Sequence, residues 1–357
     1  MRACFVVHGA EWTGATRAFA DAATLLGARG YETCFTAPAG SEAERRLGAA
    51  GHDVIGMAEG GGWLRAGWRL RGVVARRLSE VVFVHDDREH LAAAAAVRLA
   101  GRGAVVRRTP AGERLVLGRN GRLAMRFAAT GFVFAHADDM RGMTPPRRAL
   151  AAHVAPPGVP EVVMPTAVGV IAPEGARLVI CTGAGPRREA LLALRALSLL
   201  APRLATLRAT LIASAGDADS LRLAAAALGV ADRLEVRAHT APISDALARA
   251  DLAWVIATAD DAAFAMLDAL AHGVPVLCER TPLSARFVED GVSGVLRHRG
   301  DETEWASVIS ALLAQPARTD AMRVAARRAA ARWPFAGGAD GWLQVADAAR
   351  DRMRWTS

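Results

Sequence analysis

Apolar positions along the chain come in short unbroken runs, each followed by a Gly-rich or polar turn and then by a stretch with helical spacing. In the first half, runs at 2–8, 31–37, 52–57, 81–85, 103–108 and 131–136 predict strands. Helices are predicted near 14–29, 41–50, 62–78, 88–100 and 137–150. The second half repeats the pattern, with strands at 177–182, 208–213, 234–239, 252–257, 274–278 and 294–298. Its helices are predicted at 187–201, 218–228, 243–249, 261–271, 283–289, 302–314 and 318–332. Strands that are apolar on both faces predict parallel sheets covered by helices on either side. The expected fold class is therefore α/β, with two Rossmann-like domains.

Pro156, Pro157, Pro160, Pro165 and Pro173 mark the boundary between the two arrays, within 155–176. The expected domains are 1–160 and 161–335, and Pro334 sets off a terminal helix within 336–357. Open sheets bind ligands beyond the C-terminal ends of their strands, which places the expected site in a cleft between two such sheets.

Composition excludes several classes. The 357 residues are 52% hydrophobic and 5% aromatic, enough apolar material for ordinary cores and too much for a disordered chain. All 44 basic residues are Arg, so Schiff-base chemistry and a P-loop lysine are ruled out. The net charge of +8 is uneven, with +7 in residues 1–165 and +1 in the remainder. Such an excess suits an anionic partner for the first half. The predicted helix 62–78 sets Trp63 and Trp68 among Arg65, Arg69, Arg71, Arg76 and Arg77 with no acid between them. It reads equally as a contact with an anionic membrane surface and as an amphipathic helix whose arginines are merely solvated.

No apolar run reaches the length of a membrane span, and Met1 to Gly9 reads as a first strand rather than a signal peptide. The expected location is the cytoplasm, with the inner face of the membrane as a candidate surface for peripheral contact. Cys4, Cys34, Cys181 and Cys278 are widely spaced in strand-like runs, as buried reduced thiols would be. No C-x-x-C occurs, so neither zinc nor a redox pair is indicated. The first turn, His8 to Thr16, is not G-x-G-x-x-G, and no P-loop, H-E-x-x-H or G-x-S-x-G is present. Dinucleotide-binding dehydrogenases, P-loop NTPases, zincins and ordinary α/β-hydrolases are disfavoured on that ground. No nucleic-acid-binding module is visible, and no nucleic acid is expected as a partner.

The motifs that remain are ordered and resemble one family. Residues 260–277, DDAAFAMLDALAHGVPVL, are similar to the E-G-F-G-L-P-x-L-E-A-M-A-x-G-x-P-V-V of the group 1 (family 4) glycosyltransferases. Downstream, 287–296 (FVEDGVSGVL) resembles the turn and strand that follow in that family. The opening, with TGATR at 13–17 and LLGARGYE at 25–32, is similar as well. So are Pro157-Gly158-Val159 before the linker and Ala331-Arg332-Trp333-Pro334-Phe335 before the last helix. The resemblance implies the GT-B fold, with two facing Rossmann-like domains and a C-terminal helix crossing back to the first. It further implies an enzyme that takes a sugar from a nucleotide-diphosphate sugar as co-substrate, retains anomeric configuration and needs no metal or other cofactor. The first domain would hold a glycan or lipid-linked acceptor and the second the donor, in glycan, glycolipid or cell-envelope polysaccharide synthesis.

The resemblance also assigns roles. Asp260 and Asp268, eight positions apart, stand where the family has a Glu pair for the donor sugar (the catalytic position) and the ribose. Arg187 and Arg188 fall near the family's diphosphate-binding cations, and a helix N-terminus with fixed positive charge suits a diphosphate. Asp261, Ala262 and Ala263 replace the family's Gly-Phe-Gly beside the donor. On the acceptor side, Thr13, Gly14 and His8 lie in the first turn, and His85 at a strand end is a second catalytic candidate. Other readings stay open: Asp260 as an exposed helix cap, His85 and His8 as structural histidines, and Arg187 and Arg188 as solvated. The Asp-for-Glu changes leave, as the alternative, a non-catalytic GT-B protein acting in binding or assembly.

Overall fold

A computed structural model describes residues 1–58, 60, 62–141, 143, 149–160, 175–183, 187–238 and 243–354. The chain forms two compact units, Met1–Pro157 with Ala336–Ser357, and Gly158–Phe335. Residues 161–174 of the Pro-rich stretch lie outside the described residues.

The first unit opens with β1 (Arg2–Val6), α1 (Gly14–Gly27), β2 (Glu32–Pro38), α2 (Glu42–Ala49), β3 (Val54–Met57) and α3 (Gly62–Arg76). It continues through β4 (Val81–Val84), α4 (Asp87–Ala100), β5 (Ala104–Thr109), α5 (Arg119–Phe127), β6 (Thr130–Phe134), α6 (Ala137–Met140) and β7 (Ala149–Val154). The second unit holds β8 (Arg177–Gly183), α7 (Arg187–Leu200), β9 (Arg208–Ala213), α8 (Ala218–Ala227), β10 (Leu234–Ala238) and α9 (Ser244–Leu247). After these come β11 (Leu252–Val255), α10 (Ala259–Ala271), β12 (Val276–Glu279), α11 (Ser284–Phe287), β13 (Gly294–Arg297), α12 (Glu302–Leu313) and α13 (Pro316–Ala330). The final helix, α14 (Ala339–Arg354), belongs to the first unit.

The strands of unit 1 run β3-β2-β1-β4-β5-β6-β7 and those of unit 2 run β10-β9-β8-β11-β12-β13. Neighbouring strands are parallel throughout both sheets. The period-2 alternation of a strand divides its apolar residues between two cores. Ala3, Phe5 and Val7 join Val81 and Phe83 in one layer. Cys4 and Val6 join Val82 and Val84 in the other. Phe5 stacks on Phe83 at 4.6 Å and on Phe35 at 5.1 Å, so an aromatic row crosses β2, β1 and β4. In unit 2, Leu178, Leu211 and Trp254 share a core with Leu194 of α7 and Ile309 of α12. All four cysteines are free and buried, on β1, β2, β8 and β12.

The last helix completes the first core. Trp342, Val345, Ala346 and Ala349 recur at helical spacing and are buried in the layer that holds Phe5. Trp342 meets Phe83 edge-on at 5.6 Å and Phe19 at 6.4 Å. Tyr31 donates to Asp347 at 2.8 Å on the same helix. Gly341 lets α14 touch the sheet, because a Cβ there would lie 2.0 Å from the Val154 carbonyl oxygen. No helix among the described residues is long and apolar enough to cross a membrane.

Two elements depart from expectation. Among the described residues, the helix predicted over 137–150 is helical at Ala137–Met140, and Ala149–Val154 instead pairs with β6 as a seventh strand. Its Ala-rich sequence favours a helix by local propensity, but pairing with a strand edge and cover from α14 outweigh that preference. Helix α5 was not predicted; it is nine residues long, buries Gly121, Ala124 and Met125, and packs Leu123 on the core. Trp342→Ala is expected to lower the stability of the first unit by about 3–5 kcal/mol, read by urea denaturation. A loss below about 1 kcal/mol would show that α14 is not part of that core.

Candidate functional site

In each sheet the strand order reverses direction at one place, and there the C-terminal strand ends open a crevice. In unit 2 this place lies between β8 and β11, paired from Leu178 with Leu252 to Cys181 with Val255. The helices that follow these two strands are α7 and α10. They carry the residues expected at the donor: Arg187 and Arg188 in the first turn of α7, Asp260, Asp261 and Asp268 on α10. Both arginines are exposed, and Arg188 pairs with Glu189 at 2.9 Å.

Helix α10 starts under strain. Ala259 has φ +50°, a left-handed conformation that residues with a Cβ seldom adopt. The turn puts Thr258 at the N-cap and draws Asp260 into the first turn, only 4% exposed. Asp260 is thus not the exposed cap that its position suggested, although its carboxylate still sits at the positive end of the helix dipole. Asp261 packs over the end of β8: a Cβ on Gly183 would lie 2.8 Å from the Asp261 side chain. Ala262 and Ala263 are buried beneath the helix, so they have no surface to offer a ligand through their side chains. Asp268, half-buried two turns further on, faces β8. Burial first, and then its charge, push the Cys181 thiol up to about 12. His272 at the C-cap donates from Nδ1 to the Asp268 carbonyl at 2.7 Å, a structural role.

In unit 1 the reversal lies between β1 and β4. His8 follows β1, His85 follows β4, and Thr13 with Gly14 opens α1 just beyond. Thr13 is the N-cap of α1 and accepts from the Thr16 amide, and Gly14 is buried, which accounts for both locally. The residue that unites the crevice is Glu89 of α4, which sequence reasoning missed. Its carboxylate accepts the His8 amide at 2.8 Å and the His85 amide at 2.9 Å, tying the two strand ends together. His85 Nδ1 also lies 2.9 Å from Glu89 Oε2, with the Glu89 side chain 1% exposed and the His85 side chain 22%. Asp86 caps α4 by accepting the Glu89 amide at 2.7 Å. The sequence signal was present: Asp86 followed by Glu89 has capping-box spacing.

Burial is the largest effect on His85 and lowers its pKa, but the charge and contact of Glu89 outweigh it and leave the imidazole above its ordinary 6.5. Burial likewise raises Glu89, and the facing His85 with the two backbone amides brings it below its ordinary 4.5. Each shift favours the charged form of its group, so His85 holds its proton more tightly beside Glu89 than a free imidazole does. His85, Asp86 and Glu89 present ligand atoms within 4.8 Å of one another. Both Glu89 oxygens are already held by amides and Asp86 is spent as a cap, so the set serves the backbone and is poorly suited to a metal.

A pocket beside Glu89 is lined by His8, Thr36, Met57, Arg69 and Arg88. The basic helix α3 borders it. Arg69 turns inward to the carbonyls of Ala58 and Gly60, and Trp63 packs on the core. Leu64 and Trp68 stay 66% and 62% exposed, Arg65 is exposed, and Arg71 lies over the Trp68 ring at 5.0 Å.

Comparison with known proteins agrees with this architecture. Residues 176–315 match the family model described as "Glycosyl transferases group 1". The curated D-inositol 3-phosphate glycosyltransferase of Thermobispora bispora is 34% identical over 134 residues, which are 37% of this chain and 31% of that protein. The match thus spans about a third of that relative's length. Anabaena Alr3699/HepE, solved with UDP and glucose, superposes with a TM-score of 0.71 at 17% identity, over 100% of this chain and 99% of that one. WaaG, a glycosyltransferase involved in lipopolysaccharide biosynthesis, gives 0.68 at 16% identity over 97% and 99%. The protein has the GT-B fold. Its second unit carries the group 1 glycosyltransferase pattern, with a divergent donor motif at 260–263.

The ion pair sets a pH dependence. His85 holds its proton more tightly when folded, so its contribution to stability is present below pH 6.5 and fades as pH rises through the raised value. The contribution of Glu89 is present above pH 4.5 and is lost as pH falls through the lowered value. Glu89→Gln is expected to cost about 2–4 kcal/mol at a pH between those limits and to move the His85 imidazole titration down. An unchanged His85 titration by NMR would disprove the pairing.

Proposed function

We propose that the protein transfers a sugar from a nucleotide-diphosphate sugar to an acceptor hydroxyl. The observation that carries this reading is that Arg187, Arg188, Asp260 and Asp268 stand on the two helices opening at the β8–β11 reversal, within a segment of group 1 glycosyltransferase pattern. In the transfer the bond from the anomeric carbon to the diphosphate breaks, and its electron pair leaves on the nucleoside diphosphate. The acceptor oxygen takes that carbon and passes its proton to the departing diphosphate oxygen. Arg187 and Arg188, with the amides of the α7 N-terminus, would carry the charge that develops on the leaving diphosphate. Asp268 would accept from ribose hydroxyls and Asp260 from the donor sugar, with retention and without a metal. No other cofactor is required, because the nucleotide sugar is itself the co-substrate.

Unit 1 would present the acceptor, a glycan or lipid-linked molecule, beside His8, Thr13, Gly14 and His85. A His85 that holds its proton more tightly than a free imidazole suits donation to an anionic or hydroxyl oxygen better than proton abstraction. UDP-, GDP- and ADP-sugars are expected to divide, with one class raising Tm at millimolar concentration. Arg187→Ala/Arg188→Ala should abolish that rise, and Asp268→Ala should remove transfer. If no nucleotide sugar stabilises the protein, the donor assignment is wrong. If one binds but Asp268→Ala keeps full cellular function, the protein uses the fold for binding alone.

The exposed Leu64 and Trp68 with Arg65 support peripheral contact with an anionic membrane, at the face where a lipid-linked acceptor would arrive. Sedimentation with phosphatidylglycerol vesicles is expected for the native chain, falling at least about tenfold in Leu64→Ser/Trp68→Ser. Equal sedimentation of both proteins would leave α3 an ordinary surface helix.

A further inference from the structure

A second polar pocket, of about 360 Å³, lies at the opposite edge of the unit 2 sheet from the expected donor residues. It opens around Arg177, Arg208 and Leu234, the first residues of β8, β9 and β10. One face of these strands is ordinary core, where Leu178, Leu211 and Val236 are buried. By strand alternation the other face carries Arg177, Arg208, Thr210, Glu235 and Arg237. A parallel sheet normally has a helix over each face. Among the described residues, the crossover from β10 to β11 contributes a single four-residue helix, α9.

Five guanidiniums and three carboxylates line this pocket, a formal excess of two positive charges. The carboxylates are already engaged. Arg237 is held by Glu235 at 2.7 Å and by both oxygens of Asp245 at 2.9 and 3.0 Å. Asp232 approaches Arg233 at 3.9 Å, and Arg233 spends its Nη1 on the carbonyls of Ala201, Leu204 and Ala205. Among the described residues, neither Arg208 nor Arg249 is paired with a carboxylate, and both are exposed. Arg208 also stands opposite Arg177 in the β8–β9 register, so two arginines open neighbouring strands at the pocket.

We propose that this pocket is a second ligand site, for a phosphorylated small molecule bearing two negative charges. Arg208 and Arg249 grip the phosphate, with Arg177 beside them. Planar guanidiniums suit this task because each presents two parallel N–H donors to phosphate oxygens. The volume falls in the range of about 300–1,000 Å³ usual for small-molecule sites, so the pocket has room for more than a bare anion. The site does not depend on the glycosyltransferase reading, since none of its residues is shared with the α7–α10 crevice.

The test uses the full chain in an Arg187→Ala/Arg188→Ala background, which removes the other expected phosphate contacts. Pyrophosphate and glucose 6-phosphate are titrated against sodium chloride of equal ionic strength, with thermal unfolding and calorimetry as readouts. A Tm rise of about 3–5 °C is expected at roughly ten times Kd. Arg208→Gln/Arg249→Gln should abolish it, and Arg249→Gln alone should weaken binding at least about tenfold. Absence of any rise, or a rise that persists in the double Gln variant, would overturn the proposal. Both substituted side chains are exposed, and the single variant keeps the test valid should the double one lose its fold.

Discussion

The first unit depends on an aromatic row that its own early sequence cannot finish. Phe35, Phe5 and Phe83 stack across three adjacent strands and leave an apolar edge that has to be covered. Trp342 covers it, from a helix that enters the chain only after the whole second unit. Leaving this layer open would expose aromatic surface to water. The two units are thereby joined in fate: the first core is complete only when the last helix has been made.

The same sheet produces its crevice by a simple device. Two strand ends at the order reversal would leave backbone amides pointing into a polar gap, and one carboxylate takes both. Glu89 keeps its carboxyl below the ordinary range at 1% exposure because His85 faces it and the amides donate to it. Fold and chemistry meet in that residue: the clasp that closes the backbone also tightens the neighbouring imidazole's hold on its proton. In unit 2 the corresponding reversal is occupied by acidic side chains on α10, and the strained Ala259 turns the first of them inward. Gly183, against which Asp261 packs, shows the cost of replacing glycine by Asp in that loop, because the side chain fills space beside the strand end.

Much of the fold was legible because each buried strand is a local apolar run. Strands β1, β4 and β8 to β13 announce themselves in this way, as do the helices between them. Strand β7 did not, since Ala149-Leu150-Ala151-Ala152 has helical propensity and its pairing partner lies elsewhere in the chain. The candidate donor residues could be singled out through a resemblance of motifs and their position after strands. The spacing of Asp86 and Glu89 marks a helix start, but the clasp of Glu89 on His8 and His85 was not legible, because these strand ends lie far apart in the chain.

By itself, then, the sequence determined the class of fold, the uneven charge and the all-arginine chemistry of its cations, since these follow from composition and short-range periodicity. Only the tertiary structure decided that Asp260 is buried, that His85 faces Glu89, and that Arg69 turns inward while Trp68 does not. It alone gathered Arg177, Arg208, Arg233, Arg237 and Arg249 around one pocket. The physical reason is the same in each case: burial and charge pairing depend on which distant segments fill the neighbouring volume, and a local pattern carries no record of that.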